Sequence, residues 1–509
     1  MSWLLRVPHH RLALAMLLLV GPFLVLSGGS SAVADNFAPV VRVSGPDPYA
    51  QCSPATSRGG IEYPNSAAEP SAAVDQATVG TDHVSLVGAW QQDRWSDGGA
   101  QGIVAASSRD GGLTWSETLL PFSQCAPGGL PFNRASDPWI AIGPDGTVYA
   151  SAVAARAVPN GAGASLEGVE VAVSRNEGGT WSHAQLVPDS RGGGDGTRIV
   201  VDPSRSSVAY AVWTKRIQLR GGELVDAASL SESTDSGNTW SKPRDIVLKS
   251  RGHRDSGGVG LLFAPRTRTL YDLATIFRKK HGTRVCRRVK NKHRPRGHRV
   301  CRISAPAIPY KALLAVSASR DGGRRWSPER IINQIRLATK FPPVRAVGTM
   351  QVALDPESGR LYVVWEDGRF SGGNYANLAI SSSKNGGETW STPQEVPSPA
   401  GDAIFGPSLA VTTGGAVGVA YYTLPQSAKR PASAPAQYWL SISHDHARHF
   451  GHPMSLAGPF DLRRAPIQGT FLGDYQGMAA GASFYPFFVT TNPTGVTNAT
   501  DVFASSVVP

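Results

Sequence analysis

The sequence predicts an all-β fold, a β-propeller of four-stranded blades, on three observations. An eight-residue pattern recurs six times, the copies lie about 60 residues apart, and each interval holds short apolar or alternating runs bounded by turn residues. Composition agrees with this reading. The 509 residues include 56 Gly and 38 Pro with only 17% charged residues, a turn-rich make-up without a heptad or a Gly-X-Y period, so coiled coil and collagen are excluded. At 41% hydrophobic, the chain is too apolar for a disordered one.

The first element is a leader. Arg6 and Arg11 precede an apolar run from Leu12 to Leu26, followed by Ala32-Val33-Ala34, so residues 1–34 read as a secretory signal peptide cleaved near Ala34. The run is too short to span a bilayer, and no second apolar stretch of about 18 residues exists. The expected protein is therefore secreted, with residues 35–509 forming a single propeller in an oxidising compartment. Four cysteines fit that compartment. Proximity favours Cys286 with Cys301 and Cys52 with Cys125 among three connectivities, and neither spacing suits zinc.

The repeated pattern is Ser-x-Asp-x-Gly-x-Thr-Trp. Its copies run from Ser108 to Trp115, Ser174 to Trp181, Ser233 to Trp240, Ser319 to Trp326, Ser383 to Trp390 and, in decayed form, Ser443 to Phe450. Asn replaces Asp at 176 and 385, Arg325 replaces Thr, and Ala447 replaces Gly. The chemistry is that of a tight turn: the Asp or Asn bonds the turn backbone, Gly takes a positive φ, and the aromatic buries between neighbouring sheets. These copies resemble the Asp boxes, or BNR repeats, of the sialidase superfamily. The blade rhythm over residues 35–509 is similar to that of secreted bacterial sialidase-like proteins.

Strands can be read around each copy. Trp139-Ile140-Ala141-Ile142 and Thr147-Val148-Tyr149-Ala150 flank the turn Gly143-Pro144-Asp145-Gly146, and Met350 to Leu354 and Leu361 to Trp365 flank a second such turn. Units start near Ser71, Trp139, Arg198, Gly258, Met350, Ser408 and Gly477. The last holds three visible strands, and the N-terminal run Val40 to Val43 supplies its fourth, closing the ring without an exposed edge. Seven blades are preferred; six, the number the resemblance implies, is the alternative.

In a propeller the motif turns lie on one face, and the connections entering first strands and leaving second strands lie on the other. That second face collects Glu69, Arg134, Asp137, Asp195, Arg198, Arg254, Asp255, Arg345, Asp474 and Tyr475 ahead of first strands. Asp93, Arg94, Arg156, Lys215, Arg216, Glu366, Asp367 and Arg369 follow second strands. Arg presents a planar fork to carboxylates, and paired carboxylates supply proton transfer for glycoside hydrolysis. Arg94, Arg134, Arg198, Arg345, Arg369 and Asp474 are the candidate substrate-binding residues.

The resemblance to sialidases implies a Tyr nucleophile. Tyr475 is the best-placed tyrosine, with Tyr421 and Tyr422 as competitors; Glu69 or Glu366 would take its proton, and Asp93 or Asp137 would be the acid. One departure from the family pattern is plain. The Phe/Tyr-Arg-Ile-Pro motif ahead of the first Asp box is represented only by Val41-Arg42-Val43-Ser44, so the family's arginine triad cannot be carried over residue by residue.

The net charge of +12 has a local origin. Residues 278–302 hold 12 of the 50 Lys and Arg and no acid, and their 25 residues account for the long third interval between motif aromatics, 86 residues from Trp240 to Trp326. The rest of the chain has 38 basic and 38 acidic residues; without Arg6 and Arg11 the propeller body is 36 against 38, a net of −2. The insert is expected to be a disulfide-closed basic arm for an anionic polymer. It lacks interleaved aromatics, so base stacking and specific nucleic-acid recognition are not indicated.

Two functional classes follow. One is a secreted exo-glycosidase acting on acidic, sialic-acid-type glycosides through an Arg, carboxylate and Tyr mouth; the other is a noncatalytic extracellular propeller that binds anionic glycan or protein. No nucleotide, haem or metal motif occurs in the sequence, so no cofactor is expected.

Overall fold

A computed structural model describes residues 37–53, 60–158, 164–218, 224–246, 253–255, 260–279, 283–291, 294–304, 310–339, 344, 350–399, 401–425, 435–492 and 499–509. Residues 1–36, Arg345 and the other residues between these ranges lie outside the described residues. Among the described residues the chain is all-β, apart from a 3-10 turn at Leu462–Arg464 and a four-residue helix at Pro466–Gly469.

Period-2 apolar runs separated by turn residues fold locally, so consecutive strands pair with one another. Unit I is an antiparallel meander of Glu62–Val74, Leu86–Trp95, Ala100–Ser108 and Ser116–Leu119. Unit II comprises Arg134–Ile142, Val148–Ala157, Ala164–Ser174 and Gln185–Leu186. Unit III comprises Gly193–Val201, Ala209–Gln218, Leu224–Ser233 and Arg244–Ile246. Unit IV comprises Gly260–Ala264, Thr269–Lys279, Tyr310–Ser319 and Arg330–Gln334. Unit V comprises Met350–Leu354, Leu361–Asp367, Asn377–Ser383 and Gln394–Val396.

Unit VI comprises Asp402–Val411, Val417–Pro425, Pro435–Ser443 and Met454–Asp461. A last group, unit VII, pairs Gly477–Ala480, Phe484–Thr491 and Thr500–Ala504, and Val41–Arg42 adds to its outer edge with Val41 opposite Ala504. The insert is a hairpin, Thr283–Asn291 with Arg294–Ser304, between the second and third strands of unit IV. Cys286 stands opposite Cys301 in its register; the side chains of this hairpin lie outside the described residues.

Each sheet buries both faces against its neighbours, because side chains alternate across a strand. Separate apolar clusters fill the spaces between I and II, II and III, III and IV, IV and V, and V and VI. A larger cluster joins VI, VII and I through Tyr422, Tyr438, Phe484, Phe487, Phe488 and Trp90. The motif aromatics occupy these same spaces. Trp181 packs between I and II, Trp240 between II and III, Trp326 between III and IV, Trp390 between IV and V, and Phe450 between V and VI.

The motif turns repeat one hydrogen-bond scheme. In the first copy the Gly112 N–H donates to Ser108 Oγ at 2.8 Å, the Thr114 N–H to Asp110 Oδ1 at 2.9 Å, and Thr114 Oγ1 to Asp110 Oδ2 at 2.6 Å. Where Thr is lost, another donor takes its place: Arg325 Nε lies 2.8 Å from Asp321 Oδ2, and His449 Nδ1 lies 2.6 Å from Asp445 Oδ2. The hydrogen bond from the Thr239 hydroxyl, with that from its N–H, holds the Asp235 carboxyl below its ordinary range. Gly237 at φ 81° shows why glycine recurs here: a Cβ would stand 2.6 Å from Val173 Cγ2.

A disulfide joins Cys52 to Cys125 with Cα atoms 5.7 Å apart, tying the segment ahead of unit I to the connection between I and II. The pairing expected for these two cysteines is the one present.

Candidate functional site

First strands start earlier than the sequence implied. Glu62–Val74 and Arg134–Ile142 include Glu69, Arg134 and Asp137, which therefore sit within strands rather than ahead of them. The cause is a bulge that breaks the period-2 pattern. Register shifts fall between Ala68 and Ser71, Ser136 and Trp139, Asp195 and Arg198, and Phe405 and Ser408, at equivalent places in units I, II, III and VI.

The bulge residue has a left-handed backbone in every case: Glu69 at φ 52°, Asp137 at 53°, Gly196 at 68° and Gly406 at 59°. Units III and VI use glycine, which adopts this conformation freely. Units I and II place carboxylates there, at a cost of about 1–2 kcal/mol each. Pro70, Pro138 and Pro407 follow three of the four positions and cannot donate to the ladder.

The two strained carboxylates meet. Glu69 is 2% exposed, and its ordinary proton affinity is raised well above the usual carboxyl range, first by burial, then by the charges of Asp137 and Asp474, and also by a hydrogen bond with Asp137; Arg94 opposes the shift. Gln91 Nε2 donates to Glu69 Oε2 and, at 3.1 Å, to Ser136 Oγ; Ser136 Oγ in turn donates to Asp137 Oδ1 at 2.9 Å. The second oxygen of Asp137 accepts the N–H of the neighbouring bulge residue Gly196 at 2.9 Å. This network holds both carboxyls in fixed orientations.

Tyr475 closes the cluster. Gly473, at φ 122°, packs against the Glu69 backbone, and the Asp474 N–H donates to Glu69 Oε1 at 3.4 Å. The Tyr475 hydroxyl donates to the Pro138 carbonyl at 2.9 Å, and its ring meets Trp139 edge-on at 5.6 Å between centroids. Burial, then Glu69 and Asp137, push the phenol well above its ordinary value, while Arg198 pulls it down. Arg198 stacks over Trp139 with its guanidinium carbon 3.9 Å from the ring centroid, and reaches Gln351 Oε1 of unit V at 3.4 Å. Burial lowers the Arg198 guanidinium to about 10, which leaves it cationic at neutral pH.

The remaining candidates have other partners. Asp93, at φ 60°, accepts the Asn65 N–H at 2.8 Å and the Gln92 amide at 3.0 Å; burial, then the charge of Asp47 and a hydrogen bond with it, raise its carboxyl to about 8. Arg94 donates to the Gly99 carbonyl at 2.6 Å and lies over Phe471. Arg134 is buried, bonded to Asp97 at 2.6 Å and to the Gly98 carbonyl at 2.8 Å, and stacked on Trp95. Arg369 is held by Asp367 at 2.8 Å, Asn333 at 3.0 Å and the Gln334 carbonyl at 2.7 Å. Glu366 accepts the N–H of the bulge residue Gly406 at 3.2 Å.

Tyr421 and Tyr422 are core residues. Their hydroxyls donate to the Pro397 carbonyl and the Val489 carbonyl, each at 2.6 Å. The structure thus gathers Glu69, Asp137, Asp474, Tyr475 and Arg198, with Arg94 within electrostatic reach of Glu69. Arg345 lies outside the described residues. Two contributors carried weak signals in the sequence: Gln351, a polar residue inside the apolar run Met350 to Leu354, and Asp47, in a Pro-flanked turn resembling any other. Among the described residues no group of three or more His, Cys, Asp and Glu could hold a metal ion.

No protein-family model matches the chain, and no curated protein matches it by sequence. Solved structures do match at low identity. An ulvan lyase of a polysaccharide lyase family is 12% identical, with 87% of this chain and 95% of that one covered and a TM-score of 0.48. A Hadza microbial sialidase is 15% identical, with 82% and 76% covered and a TM-score of 0.43. The NanB sialidase of Streptococcus pneumoniae is 9% identical, with 93% and 98% covered and a TM-score of 0.41.

Proposed function

We propose that this chain is an exported seven-bladed propeller and a carbohydrate-active enzyme, an exo-glycosidase of acidic glycosides whose reactive groups are Glu69, Asp137 and Tyr475. Export is supported by the leader pattern of residues 1–34 and by the Cys52–Cys125 disulfide. The blade count is supported by the seven four-stranded groups, and closure of the ring by the pairing of Val41–Arg42 with Thr500–Ala504.

One observation carries the catalytic reading. Glu69 and Asp137 occupy left-handed bulge positions where units III and VI use glycine, so each carboxylate is kept at a cost in stability. The two are joined by a hydrogen bond, and burial favours the protonated form of Glu69. In the proposed reaction Arg198 pairs with the sugar's acidic group, the protonated member of the pair gives its proton to the leaving oxygen, and Tyr475 Oη attacks the anomeric carbon as its own proton passes to the ionised member. Water then cleaves the glycosyl-tyrosine bond, adding its hydroxyl to the sugar, and its proton restores the phenol.

A second reading is favoured by a separate observation. Arg134 is ion-paired with Asp97, Arg369 is ion-paired with Asp367, and the Tyr475 hydroxyl bonds a backbone carbonyl, an arrangement that also suits a propeller which binds an acidic glycan without cleaving it.

The two are separated by Glu69→Gly and Asp137→Gly, assayed on fluorogenic sialosides and uronides. Relief of left-handed strain and removal of a carboxylate are expected to raise the melting temperature while turnover falls at least a hundredfold. Full turnover in both variants refutes the enzyme reading. Tight glycan binding by the parent with no product release supports the second.

A further inference from the structure

We propose that the end of the sheets carrying the motif turns, opposite the Glu69 cluster, holds a second site, and that its ligand is an acidic oligosaccharide. The inference does not rest on the reaction above. Two cavities flank the motif turn of unit IV: one of about 310 Å³ between units III and IV, and one of about 270 Å³ between IV and V. Arg320 lines both. A chain-like ligand that enters one cavity can therefore continue into the other past a shared cation.

Charge in the first cavity is unbalanced. Arg205, Arg268, Arg320 and Arg324 line it against Glu232 and Asp321. Both acids are already engaged: Glu232 by Arg244 at 3.4 Å, and Asp321 by Arg325 at 2.8 Å. Arg205 is bound to Asp202 at 2.7 Å, and Arg268 lies 3.9 Å from the same carboxylate. Arg320 and Arg324 make no ion pair or hydrogen bond among the described residues, and both are exposed. Guanidinium groups free of internal partners at the rim of a concave site are suited to a carboxylate or sulfate.

The lining selects among anions. Tyr210 and Phe263 stack at 6.1 Å but are buried, so they offer no open ring face to a nucleobase. The second cavity adds the hydroxyls of Ser317 and Ser327 and the Glu388 carboxylate, which is 60% exposed and 3.4 Å from Arg330. A carboxylate acceptor repels any anion, but an acidic sugar also offers hydroxyl donors between its charged groups, which the carboxylate can accept and a polyphosphate chain lacks. Cations for the acid group and acceptors for the hydroxyls are together the chemistry of an acidic sugar.

The test is calorimetric titration of the full chain with a galacturonate tetrasaccharide and a heparin-derived tetrasaccharide, with a neutral glucan tetrasaccharide and polyphosphate as controls. Arg320→Ala/Arg324→Ala is expected to weaken both acidic tetrasaccharides about tenfold or more, with the melting temperature and hydrolysis of small fluorogenic glycosides unchanged. Glu388→Gln should weaken the tetrasaccharides without weakening polyphosphate. Deletion of residues 278–302 should leave tetrasaccharide binding in place. Failure of the parent to bind either acidic tetrasaccharide overturns the proposal, as does unchanged affinity in the double arginine variant or loss of binding on deletion of the basic hairpin. Polyphosphate binding as tight as that of the sugars overturns the choice of ligand.

Discussion

Asp272 offers the most direct test of how this fold tolerates polar groups between its sheets. It lies in Thr269–Lys279, opposite Leu261 and Ser317, is 1% exposed, and neither carboxyl oxygen has a hydrogen-bond partner among the described residues. Burial alone raises its carboxyl to about 7. An unfolded Asp titrates near 3.9, so the shift is about 3 units, worth about 4 kcal/mol at 1.36 kcal/mol per unit. The sign is fixed by the direction of the shift. Below about pH 4 the group is protonated in both states and costs nothing; between about pH 4 and 7 the unfolded state ionises first and stability is lost; above about pH 7 the full penalty applies.

Asp272→Asn replaces the carboxyl with a neutral group of the same shape and removes this dependence. With an unfolding entropy of about 2.1 cal/mol/K per residue over roughly 470 residues, 4 kcal/mol corresponds to about 4 °C. Thermal melts of parent and variant across pH 4 to 8 should show the variant gaining about 4 °C on the parent as the pH rises. Taking the difference between the two proteins cancels every other titrating group. A constant gap across that range, or a variant that loses ground at pH 8, would refute the reasoning.

Two further outcomes are expected from packing and cross-linking. Gly237→Ala should lower the melting temperature clearly more than Gly192→Ala, because both positions have positive φ but only at Gly237 does a Cβ collide, 2.6 Å from Val173 Cγ2; equal losses would show that backbone strain alone matters. Cys52→Ser/Cys125→Ser should destabilise the chain by about 4 kcal/mol in oxidising buffer, as expected for a loop spanning a sequence separation of 73, and denaturant midpoints would measure it.

Much of the architecture was readable because it is local. Each motif turn is held by bonds within eight residues, as between Ser108, Asp110 and Thr114, and its aromatic has one place to bury, so Trp181 and Trp240 pack between sheets as their pattern implies. The pairing of Cys52 with Cys125 was readable because the proximity of Cys286 to Cys301 leaves these two as the other pair. The candidate site was less legible. Strand limits at Glu69 and Asp137 were hidden because a bulge interrupts alternation, and the roles of Arg134 and Arg369 depend on Asp97 and Asn333, which are distant in sequence.

The sequence by itself determined the repeat, the turn chemistry, the basic insert and the placing of +12 within it, because these depend on neighbouring residues and on composition. Tertiary structure decided which charges remain available. Tyr421 and Tyr422 differ from Tyr475 only in what surrounds them: all three hydroxyls bond backbone carbonyls, but only the third lies beside Glu69, Asp137 and Arg198. Those neighbours come from units that are hundreds of residues apart, and Coulomb energy and desolvation depend on distance in space rather than along the chain.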